Sequence, residues 1–125
     1  MTRIFLTAVL ILVFGAGASA GGEPMPASFE GRALVNSAGM TLYTFDRDTS
    51  GSGKSACNGP CAVNWPPLKA DDPDQTSSDW SIVVRDDGSK QWAYMGMPLY
   101  LWAKDQKPGD RAGDGVNKVW HVVAK

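Results

Sequence analysis

The sequence predicts an all-β protein, a small antiparallel sandwich or barrel built from two pseudo-symmetric repeats. The first reason is that GMTLYTFDRD at residues 39–48 returns as GMPLYLWAKD at residues 96–105, with five identities in ten positions. The second is that short apolar runs alternate with turns, while no segment carries a long apolar period of about 3.6 residues. The third is that all five Trp and all three Tyr follow residue 20, an aromatic content that favours strands and a packed core over disorder.

Residues 1–20 predict a secretory signal peptide. Arg3 gives a positive start, residues 4–14 are apolar, and Ala-Ser-Ala at 18–20 is a small-x-small cleavage site. The apolar run is too short for a membrane span, which needs about 20 apolar residues. We therefore expect a periplasmic or secreted protein whose mature chain, residues 21–125, is a single all-β domain. No cysteine lies near the cleavage site to accept a lipid, so we expect no stable membrane anchor.

The charge of the mature chain is close to neutral. Loss of Arg3 with the signal peptide changes the formal charge from −1 to −2. This is neither a basic surface for nucleic acid nor a strongly acidic tail, so we expect no nucleic-acid partner. The sequence indicates no cofactor.

Turn residues delimit the strands of the first repeat, about residues 30–70. Residues 21–28, GGEPMPAS, predict a flexible lead because they carry Pro and Gly. GRALVN and MTLYTF, joined by SAG, predict a hairpin. After a polar loop, CAVNW predicts a short strand or turn that Pro66 and Pro67 end.

Turn residues also delimit the strands of the second repeat, about residues 79–124. WSIVVR alternates, so Trp80, Ile82 and Val84 are expected on one face of a strand. DDGS supplies an Asp-Gly turn, and KQWAYM, MPLYLWA and KVWHVVA are the strands that follow. Any helix is expected to be short and confined to loops.

The two cysteines, Cys57 and Cys61 in CNGPC, predict a disulfide because exported proteins meet an oxidising compartment. The loop between them is small, and the chain-entropy model gives the bond about 2 kcal/mol. The spacing does not form the Cys-x-x-Cys redox motif, and a zinc site would need more ligands than His121 adds. A redox or metal role stays as the alternative.

Strand alternation divides the repeated side chains between two faces. Residues i and i+2 share a face, so each Tyr points with the aromatic residue that follows it, and Leu42 and Leu99 point the other way. Apolar residues on both faces predict central strands, and the Gly before each strand is expected in a tight turn at positive φ. The repeated motif consists of Tyr43, Phe45 and Asp48 in the first repeat and Tyr100, Trp102 and Asp105 in the second.

The repeated Asp lies beyond the expected end of each strand. One interpretation is that it ends the strand through an Asx turn or a salt bridge. The other is that it accepts a hydrogen bond from a buried Tyr hydroxyl, which costs about 1–3 kcal/mol when left without a partner. Either makes the motif structural. Two similar halves are then expected to pack about a pseudo-twofold axis, because neither half could bury its aromatic face alone.

Tyr-x-aromatic-x-x-Asp, present twice in an exported chain, resembles the family of predicted lipoproteins with the Tyr-x-(Phe/Trp/Tyr)-x-x-Asp motif, a secreted repeat of unknown function. The resemblance covers about residues 30–124 and includes CNGPCAVNWPPL, RDDGSKQWAYMGMPLYLW and VWHVV. It implies an extracytoplasmic location and no established catalytic or ligand residues. This chain departs from the lipoprotein pattern because it has no lipobox cysteine.

Two metal hypotheses arise from the sequence. DRDTSG places Asp46, Asp48, Ser50 and Gly51 like the start of an EF-hand loop, but the twelfth position is Cys57 rather than the bidentate Glu, so a polar loop is the favoured interpretation. Soft ligands for copper could come from several scattered residues, although repeat-linked Met residues and a single His more often fill a core. These candidate copper ligands are Met25, Met40, Met95, Met97 and His121.

The mature chain, residues 21–125, contains no Gly-x-Ser-x-Gly, His-Glu-x-x-His or glycine-rich phosphate motif, so we assign no catalytic residues and expect no enzyme. We predict an exported cell-envelope protein that serves as a binding or structural module for an unknown envelope component. Exposed Trp and Tyr that stack on sugars would be one mode of binding. The alternative is a periplasmic copper-binding or redox accessory protein.

Overall fold

The structure, a computed structural model, describes residues 26–71 and 76–125. The expected signal peptide and Met25 lie outside these residues. The all-β class is confirmed, since strands dominate and the helical segments are short. In chain order the elements are the strands β1 (Ala27–Glu30), β2 (Ala33–Asn36) and β3 (Tyr43–Phe45), the helix α1 (Pro60–Asn64), the strands β4 (Trp80–Val84), β5 (Lys90–Tyr94) and β6 (Met97–Pro98), a 3₁₀ turn (Val116–Lys118) and the strand β7 (Trp120–Val122).

The strands form three small antiparallel sheets, β1–β2, β3–β7 and β4–β5–β6. Phe45 lies opposite Trp120 in the β3–β7 pair, and Trp80 lies opposite Tyr94 in the β4–β5 pair. Of the two predicted architectures, the sandwich-like one fits, because the described strands do not close into a barrel.

The two repeats meet at their tyrosines. The backbone N–H of Tyr43 donates to the carbonyl of Tyr100 over 2.8 Å, and the N–H of Tyr100 donates back to the carbonyl of Tyr43 over 2.9 Å. This antiparallel bridge joins equivalent positions of the two motifs. Because an antiparallel residue pair is itself twofold symmetric, the pseudo-twofold axis of the protein passes between these two residues.

Each repeat supplies its last segment to the other repeat. Pro67, which follows Trp65 by two positions, bridges Tyr100 of the second repeat. Val122, which follows Trp120 by two positions, pairs in return with Tyr43 of the first. The terminal segments are therefore exchanged, and each repeat completes the sheet of its neighbour.

The repeated strands separate two hydrophobic cores. Leu42 and Leu99 face one core and Tyr43 and Tyr100 face the other, and all four side chains are 0% exposed. The strand alternation expected from the sequence is confirmed. The first core gathers Ala27, Leu34, Leu42, Trp80, Trp92 and Leu99, and the second gathers Tyr43, Phe45, Cys57, Trp65, Tyr100 and Trp120.

Gly39 and Gly96 begin the repeated strands in turns with φ of 82° and 85°, as expected. Both turns are also crowded, since a Cβ at Gly39 would lie 3.1 Å from the Cβ of Pro108, and one at Gly96 would lie 2.6 Å from Ser50 Oγ. Pro108 belongs to the second repeat and Ser50 to the first. The loop after each motif therefore closes over the turn of the other repeat, and both the φ value and the space require glycine.

Three segments differ from the sequence prediction. MPLYLWA was expected to be a strand along its length, but β6 covers only Met97–Pro98, and Tyr100 pairs through isolated bridges. Residues 21–28 were expected to be a flexible lead, but Ala27–Glu30 form β1, which pairs with β2 and buries Ala27 to 3% exposure in the first core. CAVNW was expected to be a short strand or turn and instead contributes most of α1. Pro60 begins this helix, where its fixed φ suits the first turn, and the N–H of Trp65 closes it on the carbonyl of Cys61 over 2.8 Å.

The predicted inward face of β4 is wrong at its last position. Val84 is 56% exposed, whereas Val83 on the opposite face is 2% exposed. The reason lies in the next residue of that opposite face, Arg85, whose guanidinium donates to the carbonyl of Cys57. The disulfide-bearing loop therefore covers this end of the strand from the Val83 side, which alternation in the strand itself does not reveal.

Candidate functional site

Two side-chain hydrogen bonds join the motifs crosswise. The hydroxyl of Tyr43 donates to Asp105 Oδ2 and the hydroxyl of Tyr100 donates to Asp48 Oδ2, each over 2.6 Å. The tyrosines are 0% exposed and the two aspartates 7% and 9% exposed. Each motif thus supplies the donor of one pair and the acceptor of the other. Because an unpaired buried hydroxyl costs about 1–3 kcal/mol, these pairs link the two repeats.

Each aspartate also holds the loop that follows its own motif. Asp48 Oδ1 accepts the N–H of Ala56 over 2.7 Å, and Asp105 Oδ1 accepts the N–H of Ala112 over 3.0 Å. Of the two interpretations that the sequence left open, the structure contains the tyrosine pairing and adds closure of a loop to it. Both carboxylate oxygens of each motif are therefore engaged inside the protein.

Burial controls the protonation of these groups. Loss of solvation and the hydrogen bond to a carboxylate raise the pKa of Tyr43 and of Tyr100 well above the ordinary value of 10.0. Burial also raises the pKa of Asp48, partly offset by its hydrogen bonds and by the nearby positive charge of Arg85. The tyrosines consequently remain neutral donors across the physiological range.

A buried arginine joins the disulfide loop to the second repeat. Arg85 is 6% exposed, and its Nη1 donates to Ser55 Oγ over 3.0 Å and to Gln91 Oε1 over 2.7 Å. Its Nη2 donates to the carbonyl of Cys57 and to Asn58 Oδ1, the latter over 3.3 Å. Four neutral acceptors therefore accept hydrogen bonds from this cation, which links the disulfide loop to the second repeat.

Sequence reasoning did not single out this network. Ser55 Oγ lies 2.6 Å from the hydroxyl of Tyr100, so Arg85 reaches the Tyr100–Asp48 pair through one serine. Gln91, the second residue of β5, is 0% exposed. The available signal was a polar residue, Gln91, directly before the apolar run WAYM, and a charged one directly after WSIVV.

The predicted disulfide is confirmed. Cys57 and Cys61 are joined with a sulfur–sulfur distance of 2.08 Å, and the described residues contain no free cysteine. Cys57 is fully buried in the second core, whereas Cys61 lies in the first turn of α1 and is only partly buried. The bond therefore fixes α1 to the core beside the aromatic residues.

Four aromatic rings form one continuous column in the order Phe45, Trp120, Trp65, Trp102. Their successive centroid distances are 4.2, 3.7 and 3.9 Å. The pseudo-twofold axis exchanges the two inner indoles with each other and the two outer rings with each other. The motif residues Phe45 and Trp102 are thus the ends of a column whose centre, Trp65 and Trp120, was not predicted from the sequence.

A cavity of about 350 Å³ opens beside this column, and we call it the axis cavity. It brings one motif residue, Phe45, together with the inner indoles and with residues from α1 and the 3₁₀ turn. Tyr43, Tyr100 and both motif aspartates do not line it. The lining residues are Phe45, Arg47, Cys61, Asn64, Trp65, Asn117, Val119 and Trp120.

A second cavity, of about 610 Å³, lies on the other side of α1 next to Arg85. Its charged lining is mixed, since Lys69 and Arg85 face Asp86 and Asp87. Asp87 is already bonded to the N–H and hydroxyl of Ser89, and Arg85 to its four acceptors. No aromatic residue lines this larger cavity, and its two cations and two carboxylates offset one another in charge.

The structure does not bring the candidate metal ligands together. His121 Nε2 lies 2.8 Å from Asp46 Oδ2 on the β3–β7 sheet, whereas Met95 and Met97 flank the turn between β5 and β6. Asp48, the second ligand of the calcium hypothesis, points instead at Tyr100. Among the described residues, no group of three or more His, Cys, Asp or Glu side chains is placed to hold a metal ion.

The fold and the crosswise bonds define a class of small β-protein in which two repeats exchange their last segments and share their Tyr and Asp side chains. A family model for a secreted repeat of unknown function matches residues 28–69 and 81–124, one match for each repeat and more than half of the chain. The chain belongs to this family of secreted repeats, which confirms the resemblance drawn from the motif. No curated protein and no solved structure matches the chain. Within residues 26–71 and 76–125, no helix has the length and apolar character that crossing a membrane requires.

Proposed function

We propose that this secreted protein is a non-enzymatic binding module of the cell envelope and that the axis cavity is its binding site. The observation that supports the proposal is that the polar groups of the motif are buried and bonded, whereas the axis cavity is open. The motif hydroxyls and carboxylates are bonded to one another inside the protein. The axis cavity, in contrast, places three aromatic rings beside one cationic side chain and two carboxamides.

The burial of the motif argues against a catalytic role for it. A general acid, base or nucleophile must come within hydrogen-bond distance of its substrate. Tyr43 and Tyr100 are 0% exposed, and each already donates to a carboxylate. A substrate could reach them only if the two repeats separated.

Retention by isolated cell envelopes tests the proposal. The mature chain, residues 21–125, is labelled and incubated with envelope fractions of the producing cell, and the pellet is assayed. We expect saturable retention that an excess of unlabelled protein displaces, with the envelope components recovered unchanged in mass. Tyr43→Phe is the matched control, because it removes one buried hydroxyl without altering the surface, and its folded form should be retained like the wild type.

Two results would contradict the proposal. Lack of saturable retention on every envelope fraction would remove the binding role. An envelope component whose mass changes with native protein, but not with heat-inactivated protein, would show that the protein is an enzyme.

A further inference from the structure

The axis cavity meets the edges of the two inner indoles rather than their faces. Trp120 has Phe45 on one face at 4.2 Å and Trp65 on the other at 3.7 Å, with interplanar angles of 10° and 4°. Trp65 in turn has Trp102 on its second face at 3.9 Å. All four faces of the inner rings are therefore covered. Since both indoles line the cavity, they do so through their edges.

The tyrosines of the motif contact these indoles without lining the cavity. Tyr43 meets Trp65 at 78° and Tyr100 meets Trp120 at 88°, with centroids 5.4 and 5.1 Å apart. Because the indole faces are covered, these T-shaped contacts place indole edges against tyrosine rings. An aromatic ring carries partial negative charge on its faces and partial positive charge at its edges. The edges turned to the cavity thus give it a weakly positive wall.

The charge of the lining has the same sign. The eight lining residues include one charged side chain, Arg47, and two carboxamides, Asn64 and Asn117, and contain no carboxylate. Arg47 is exposed, and within the described parts of the chain it has no ion-pair or hydrogen-bond partner. Its guanidinium presents a planar fork of donors that matches a carboxylate.

We infer that the axis cavity binds a small organic carboxylate, with Arg47 pairing to the carboxylate group and the indole edges contacting the ligand's carbon skeleton. The inference rests on the proposed function and names the ligand class of the same site. Neutral sugars, which the sequence suggested as a ligand for exposed aromatic residues, are disfavoured at the inner indoles because stacking needs an open aromatic face. The inner indoles offer only edges, and edges favour negative charge.

Matched pairs of probes test the charge requirement. Benzoate is compared with benzamide, and glucuronate with glucose, so that each pair shares a ring and differs in the carboxylate. Binding is measured by titration calorimetry, with Trp fluorescence as a second signal because Trp65 and Trp120 line the cavity. We expect at least one carboxylate to bind about tenfold or more tightly than its neutral partner, and to weaken as salt is added. The two pairs distinguish an aromatic acid from a sugar acid.

Pseudo-symmetry supplies a matched control for the arginine. Lys104 occupies the position equivalent to Arg47, but its Nζ lies 5.6 Å from the Trp102 ring centroid and it does not line the cavity. Arg47→Gln should abolish the preference for the carboxylate, whereas Lys104→Gln should keep it. Arg47→Lys, which retains the charge without the fork, should bind with intermediate affinity. The melting temperature of each variant verifies that it is folded.

Several outcomes overturn the inference. They are equal binding of a carboxylate and its neutral partner, failure of both carboxylates to bind at millimolar concentration, and equal loss of binding in the Arg47 and Lys104 variants. If envelopes still retain the protein in any of these cases, the proposed function stands and its ligand belongs to another class. If envelopes do not retain even the wild type, the proposed function is wrong, whether or not the carboxylates bind.

Discussion

Tyr43 and Asp105 are 62 positions apart, belong to different repeats and share a buried hydrogen bond of 2.6 Å. Tyr100 and Asp48, 52 positions apart, repeat this relationship across the pseudo-twofold axis with the same distance. Each motif is therefore incomplete until the other repeat supplies its partner. This relationship explains why so small a protein contains the motif twice.

Crosswise pairing predicts which mutations are coupled. Tyr43→Phe and Asp105→Ala remove the two ends of one hydrogen bond, so a double-mutant cycle should give a coupling free energy of about 0.5–3 kcal/mol. Tyr43→Phe and Asp48→Ala belong to one repeat but to different bonds, and their effects should add within about 0.5 kcal/mol. Urea unfolding of the wild type and the five variants measures both cycles. Stronger coupling within a repeat than between repeats would contradict the crosswise arrangement.

Removal of a whole motif tyrosine should be severe and similar in both repeats. Truncation of a large buried aromatic costs about 3–5 kcal/mol, so Tyr43→Ala and Tyr100→Ala should each melt at least about 10 °C lower or fail to fold. Val63→Ala, at a side chain 73% exposed on α1, is the control and should change the melting temperature little. Small, uniform shifts in all three variants would show that the tyrosines are not core residues.

Alkaline pH should destabilise the protein through the same two tyrosines. In the unfolded chain they ionise near their ordinary pKa of 10.0, whereas in the folded protein burial raises the pKa of both. Their contribution to stability is therefore complete below pH 10 and is lost as the pH rises from there toward the folded pKa. The free energy of unfolding, measured in urea between pH 9 and about 11.5, should fall less steeply in a Tyr43→Phe, Tyr100→Phe variant. Parallel curves for the two proteins would rule out this linkage.

Contact between the repeats should make Gly96 more sensitive than a glycine of the same backbone conformation. Gly96 and Gly88 both have φ of 85°, but a Cβ at Gly96 would lie 2.6 Å from Ser50 Oγ and 2.8 Å from the Gly51 nitrogen, while nothing lies within 4 Å at Gly88. Both alanine variants carry the backbone cost of about 1–2 kcal/mol. Gly96→Ala should lose at least about 1 kcal/mol more, because of overpacking. Equal losses in thermal unfolding would mean that the two repeats do not touch at this turn.

The disulfide should stabilise the protein modestly. The loop from Cys57 to Cys61 is short, so replacement of both cysteines by serine should lower the free energy of unfolding by about 2 kcal/mol, with the fold retained. Mass spectrometry of the exported protein should show no thiol that can be alkylated before reduction and two afterwards. Two free thiols in the native protein would defeat the prediction and favour a redox role.

Much of the fold is predictable from short-range patterns. Alternation in LYTF and LYLW placed Leu42 and Tyr43 on opposite faces of a central strand, and the structure has them in opposite cores. The glycine before each repeated strand predicted a turn at positive φ, and the disulfide followed from the compartment and the absence of competing thiols. These features depend on neighbouring residues or on composition, so they can be inferred without knowledge of the three-dimensional structure.

The pairing of the repeats was decided by the tertiary structure. Because both repeats contain the same Tyr and Asp, a bond within a repeat and a bond between repeats use the same residue types, and the sequence cannot distinguish them. The same holds for the exchange of the terminal segments and for the stacking of Trp65 on Trp120. The burial of Arg85 likewise requires Cys57 and Gln91, which reach it from separate segments of the chain. For the repeated motifs, the sequence by itself determined which side chains are buried and on which face. Only the packing of the two repeats against each other decided which residues these side chains contact. The reason is that hydrogen bonds and ring contacts depend on distance in space rather than along the chain.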